Sequence, residues 1–224
     1  MTLNRKVLNN LPPLLIGIFV YWYVVGFKVF DPLYIGWLVG RFDPIQHYLG
    51  WDFFRNSAWT FPIGLSPTFG LDISSSIVYA DSIPLMAIIF KGLDKLLPLN
   101  FQYFGIWLLI CFLLQAYFGW LLANIFCNSK LSKIAVTILF TISPQLLWRL
   151  NTHAGVHNAL ASHFLILAGI FLNLRKGESH RYFYWMLLFV ASLTINFYFL
   201  LITSLLWGAD SLDRWVAKKL PLKT

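Results

Sequence analysis

Residues 74–98 read SSSIVYADSIPLMAIIFKGLDKLLP, and whether this stretch crosses a membrane decides on which side every later loop lies. Asp81, Pro84, Lys91, Asp94 and Lys95 punctuate it, and the clean apolar run over 83–90 falls well short of the roughly 20 residues a crossing helix needs. The stretch is therefore predicted to be an amphipathic helix over about 76–97, lying on a membrane surface.

Working outward, the other apolar runs are longer. The predicted spans are 11–30, 101–126, 134–148, 159–174, 182–195 and 197–214, the last two separated by a bend around Thr194, Asn196 and Tyr198. Charge tests the layout. With the N-terminus and its Arg5–Lys6 pair inside, the Lys130/Lys133 turn, the Arg175/Lys176/Arg181 turn and the Lys218/Lys219/Lys223 tail all fall inside, as the excess of cytoplasmic basic residues requires. Counting 77–97 as a crossing would put all three outside. Loop 31–100 and loop 149–158 then lie together on the external face. The N-terminal run stays bulky and aromatic for too long for a cleaved signal peptide and reads as an anchor.

Composition agrees. The chain is 58% hydrophobic, 18% aromatic and only 12% charged, which marks an integral membrane protein. The predicted fold class is all-α and membrane-integral, about six transmembrane helices forming one domain, with a long first external loop that carries helices at about 44–56 and 76–97. The net charge of +8 comes from Lys and Arg scattered at span ends, which topology explains without nucleic acid. Cys111 and Cys127 suggest neither a disulfide framework nor a metal site.

Candidate chemistry concentrates in the external loops. In 42–59, FDPIQHYLGWDFFRNSAW, the residues Asp43, His47, Trp51 and Arg55 recur every four positions and share one helical face. Asp43 suits a helix cap, with Pro44 in the first turn, and equally a general base. His47 and Arg55 have the chemistry to neutralise a phosphate. Trp51 and Trp59 read as interfacial anchors. Asp81 opens the surface helix, where capping is the default and a second acid of the same site the alternative. Asp31 and Asp72 are loop acids. In the second loop, RLNTHAGVHNALASH, Arg149 ends a span, and His153 and His157 stand four apart. A pair of this spacing can bind zinc only with a third ligand that no motif supplies, so substrate contact or a structural role is expected. His163 is expected to hydrogen-bond between helices.

Taken together, DPIQHYLGWDFFRNSAWTFPIG, SSSIVYADSIPLMAIIFKGLDKLLPLNFQYFGIW and HAGVHNALASHFLIL resemble the opening module of GT-C-type membrane glycosyltransferases, specifically a bacterial GT-C-like membrane protein family. The resemblance implies transfer of a sugar from a polyprenyl-phosphate carrier at the external face of the bacterial inner membrane. It gives Asp43 the part of catalytic base or metal ligand, and His47, Arg55, Asp81, Arg149, His153 and His157 that of substrate-binding residues. Oligosaccharyltransferase catalytic subunits have an Ala-Gly followed closely by acids; here Ala154-Gly155-Val156-His157-Asn158 carries none, so no carboxylate metal site is implied there, and a divalent metal stands only as an alternative to no cofactor. Because members of that superfamily usually continue with further spans, the chain is expected to be an N-terminal module, one part of a complex with a second membrane subunit, or a truncated module that binds a partner or lipid carrier without catalysis. A small transporter ranks last, since ionisable residues cluster at loop ends rather than at mid-membrane depth.

Overall fold

The computed structural model describes residues 2–40, 43–70, 73–150, 156–175 and 180–219. Helix α4 (Phe104–Phe126) is its axis. It carries no charged residue, and Ala116, Gly119 and Ala123 lie buried at three- and four-residue spacing, a small-residue face that lets neighbours approach closely. Around it pack α1 (Thr2–Val24), α5 (Lys130–Thr141) and α7 (Phe164–Leu174); α8 (Arg181–Ile195) and α9 (Phe197–Lys219) close against α7. Gln115 reaches across to α5, its Nε2 donating to the Phe140 carbonyl at 3.0 Å. A short helix, α6 (Pro144–Trp148), follows α5 after a break at Ser143, where Pro144 takes the first helical position. The expected span 134–148 is therefore two pieces, and it starts earlier, with Ser129 accepting the Ser132 N–H as an N-cap.

Two stretches, Phe104–Phe126 and Lys130–Trp148, are long and apolar enough to cross a membrane. Leu11–Val24, Ala159–Leu174 and Arg181–Ile195 are apolar but shorter. The first helix stops at Val24 rather than running to residue 30, and a separate 3₁₀ turn occupies Phe27–Phe30. The break between the last two helices falls at Asn196, whose Oδ1 accepts the Tyr198 N–H at 3.1 Å and so starts α9. At the opposite end of these helices Arg181 is buried. It pairs with Asp210 through both Nε and Nη2, and Trp185 Nε1 and Arg214 Nε donate to the same carboxylate.

The first loop is less helical than its sequence suggests. Helix α2 (Asp43–Asn56) forms as expected. Beyond it an antiparallel pair, β1 (Leu65–Ser66) and β2 (Ser75–Ser76), folds the chain back, and only Pro84–Gly92 (α3) of the expected 76–97 surface helix is α-helical. Asp81 and Ile83 both adopt left-handed backbone (φ 51° and 54°), which no helix accommodates, and Pro84 then begins α3. Trp51 is no interfacial anchor. It is 1% exposed, edge-on to Tyr103 and donating from Nε1 to the Phe101 carbonyl at 2.9 Å, so α2 is pinned over the N-terminal end of α4. Trp59 is about half exposed, edge-on to Phe54, with Lys91 Nζ 4.8 Å over its ring.

Gln102 joins the start of α4 to the 3₁₀ turn and loop that follow α1. Its Nε2 donates to the Val29 and Asp31 carbonyls (3.1 and 2.8 Å), its backbone N–H to Pro32 O (2.8 Å), and its Oε1 accepts the Gly105 N–H (3.0 Å). The approach is so close that a Cβ at Gly105 would stand 1.9 Å from the Val29 carbonyl oxygen. Gly105→Ala is therefore expected to destabilise the protein by about 1–3 kcal/mol, the usual cost of overpacking. Gly92→Ala, where the added methyl meets nothing within 4 Å, should leave stability within a few tenths of a kcal/mol or raise it. Thermal unfolding in detergent, compared for the two variants, checks this.

Candidate functional site

Three side chains from two distant loops meet above the N-terminal end of α4. His47 projects from α2, Asp81 from the left-handed turn before α3, and His157 from the segment after α6. One ring nitrogen from each histidine and a carboxylate oxygen of Asp81 lie within 4.8 Å of one another. His157 Nε2 is 3.6 Å from Asp81 Oδ2, and the two imidazole centroids are 4.9 Å apart.

Local structure dictates this meeting. Gly50 faces the Ala80–Ser82 turn so closely that a Cβ there would stand 2.2 Å from Ala80 Cβ and 2.5 Å from Ser82 Oγ. Ser82 is fixed on both sides: its Oγ donates to the His47 carbonyl at 2.6 Å, and its own carbonyl accepts the Tyr103 hydroxyl. Gln46 Nε2 donates to Tyr79 O at 3.1 Å. Asp81 is thereby held beside α2. It does not cap α3, whose N-cap is Ile83, so its carboxylate is available to the site. Asn196, at the α8–α9 break, donates from Nδ2 to Asp81 Oδ1 at 2.8 Å and leaves Oδ2 toward His157. On the other side, the His157 N–H donates to the Arg149 carbonyl at 2.9 Å, and His157 Nδ1 accepts the Leu160 N–H at 3.3 Å.

His47 is almost wholly buried, stacked on Phe104, with Asn158 Nδ2 3.3 Å from its Nδ1. Burial, chiefly, and then the neighbouring His157 charge hold its pKa down to about 3, against a smaller opposing pull from Asp81. The ring is neutral at physiological pH and has a nitrogen lone pair to offer. Asn158 is fully buried, its backbone carbonyl accepting Trp107 Nε1–H at 3.0 Å, while its side-chain Oδ1 has no partner among the described residues.

The remaining expected site residues lie elsewhere. Arg55 is a structural clamp: its side chain pairs with Asp94 and donates to the Leu97, Pro98 and Leu99 carbonyls at 2.7–3.1 Å, which leaves little of its donor set for a phosphate. Its head stays near the Trp51 ring, 5.9 Å from the centroid, but is claimed by the 94–99 segment, so four-residue spacing misled here. Asp43 is exposed at the start of α2, one turn before His47, and makes no hydrogen bond or ion pair among the described residues. The Arg149 side chain is half-buried and likewise has no such bond among them. His163 turns its ring edge-on to Phe199, and its buried Nδ1 lacks a partner among the described residues, in place of the expected interhelical hydrogen bond. His153 and Asp72 lie outside the described residues. Asn158 and Asn196 as supports of the cluster were beyond sequence reasoning, since 111 and 115 positions separate them from the residues they touch.

Residues 14–224 match a family described as a domain of unknown function (DUF6311), and the chain belongs to that family. No curated protein and no solved structure matches the chain.

The burial of a neutral His47 has a stability consequence. The unfolded chain protonates this ring near pH 6.5 and the folded one only near 3, so below pH 6.5 the unfolded state binds more protons and stability falls. Between pH 7 and pH 4 the loss assignable to His47 should be on the order of 2–3 kcal/mol. Unfolding followed across that range should show a shallower acid slope for His47→Gln than for the unaltered protein.

Proposed function

We propose that the chain is a membrane glycosyltransferase, or the N-terminal module of one, which moves a sugar from a polyprenyl-phosphate carrier to an acceptor hydroxyl at the external face. The observation that carries this reading is the convergence of Asp81 and His47, from the first loop, with His157, from the loop after α6. The charge pattern assigns both loops to one side of the membrane. A polar, partly buried site beside apolar helices is costly to maintain without a use.

The outward surface supports a membrane setting. Large apolar side chains such as Phe19, Tyr23, Leu139, Leu187, Leu201 and Leu205 are exposed on α1, α5, α8 and α9. So many exposed large apolar side chains suit lipid contact. In this reading the shorter apolar helices complete about six crossings, the N-terminus is cytoplasmic, and the membrane is the bacterial inner membrane.

The reaction needs a base and a counter-charge. Asp43, exposed and unpaired among the described residues, stands one turn outside His47 on α2 and accepts the proton of the acceptor hydroxyl. That oxygen bonds to the anomeric carbon as the bond from carbon to phosphate oxygen breaks, with inversion, releasing polyprenyl phosphate. His157, with Arg149 joined to it through the backbone, supplies the donors for the departing phosphate in this reading. The two imidazoles and the carboxylate also form a donor set for a divalent cation, which would supply positive charge at the leaving group.

With purified protein in proteoliposomes and a radiolabelled polyprenyl-phosphate sugar, Asp43→Asn is expected to lower transfer about 10²–10⁴-fold, the range for loss of a general base. Asp81→Asn should be comparably impaired, while both variants still insert and elute as the unaltered protein does. Full activity in both variants would sink the reading.

A further inference from the structure

We propose that His47, Asp81 and His157 form a binding site for one borderline divalent metal ion, of which Zn²⁺ is the type, with a coordination position left open. The inference deepens the reading of the same cluster given above.

The donor set argues for the class of ion. Two imidazole nitrogens and one carboxylate oxygen suit zinc and its neighbours, whereas Mg²⁺ takes oxygen ligands and gives up water reluctantly. Three protein ligands with a vacant fourth position are the form of catalytic zinc sites, while structural sites fill all four.

The spacing is near what an ion needs. Ligand atoms about 2.0–2.1 Å from a tetrahedral ion lie about 3.4 Å from one another. His157 Nε2 and Asp81 Oδ2 are already 3.6 Å apart, and no pair in the cluster exceeds 4.8 Å. Side-chain rotation of about 1 Å closes the site. The backbone that supports it is fixed by the Gly50 contact and the two Ser82 hydrogen bonds.

The surroundings match the second ring of partners that metal ligands require. Asn196 holds Asp81 Oδ1 and so directs Oδ2 inward. Asn158 lies against His47 Nδ1 with a buried Oδ1 that has no partner among the described residues. An imidazole that binds through Nε2 carries its proton on Nδ1, and half a turn of the Asn158 amide brings an acceptor to that proton. His157 makes the same demand, so its long 3.3 Å contact from the Leu160 N–H must open when the ion enters. The left-handed Asp81 and the β-branched, left-handed Ile83 are the kind of backbone strain that persists where a site over-determines it.

The test uses untagged full-length protein, stripped with chelator, in detergent. Zn²⁺ titrated by calorimetry should bind with a stoichiometry of about one, and Co²⁺ should give the visible bands of a low-symmetry, four- or five-coordinate site. Asp81→Asn and His157→Gln should each weaken Zn²⁺ binding about a hundredfold or more, and Asn196→Ala about tenfold. Mg²⁺ in about a thousandfold excess should not displace Zn²⁺. His157 is partly exposed, so its variant serves if Asp81→Asn fails to fold. Absence of Zn²⁺ binding, equal binding in the two ligand variants, or displacement by Mg²⁺ would each overturn the proposal. None of these readouts involves sugar transfer, so failure here leaves the transferase reading standing, and the reverse also holds.

Discussion

The turn at Ala80–Ser82 lies against α2 with no room for a side chain at position 50, and the candidate site follows from that contact. The missing side chain lets Ser82 reach the His47 carbonyl and lets Tyr103, at the N-cap of α4, reach Ser82, so loop, α2 and the central helix form one unit. Asp81 sits in the middle of this turn and is carried to the buried imidazole. A carboxylate beside two histidines is expensive to build away from water unless its oxygens are satisfied. Asn196 and His157 meet that need from the other side.

The helices below give the turn something firm to rest on. Gln102 ties the segment that follows α1 to the start of α4, and Trp51, Phe90 and Tyr103 pack α2 and α3 over that junction. The far ends of α8 and α9 are locked separately, by Arg181 and Asp210. The helices are thus tied at two separate places, while the short segments between them carry polar chemistry. That division of labour suits an environment in which lipid-exposed irregular backbone is excluded and polar groups must find partners inside the protein.

Much of this was legible in the sequence, and the failures have identifiable causes. The α2 helix announced itself through Asp-Pro and its spacing, and the charge-free run of α4 could hardly be anything else. The break at Asn196 was marked by polar residues inside an apolar run. The 76–97 stretch misled because an apolar run flanked by charges resembles an amphipathic helix, whereas the end of β2 and two left-handed residues occupy its first third. Periodicity does not report backbone handedness. In the site, His47, Asp81 and His157 were each singled out as contact residues, but nothing in one sequence could show that they meet. Arg55 shared a helical face with His47 and was grouped with it, although an arginine's reach let Asp94 and three carbonyls claim it instead. The dominance of the first-loop Asp43 over Asp81 came from resemblance, and the geometry shifts weight toward Asp81 as the acid at the centre of the cluster.

The account stands or falls on Asp81 and His157 acting as one unit although 76 positions apart, as their 3.6 Å separation requires. A double-mutant cycle on unfolding free energy in detergent, with Asp81→Asn, His157→Gln and the pair, measures this most directly. Coupling of about 0.5 kcal/mol or more is predicted for side chains in such contact. Strict additivity of the two single variants would contradict it.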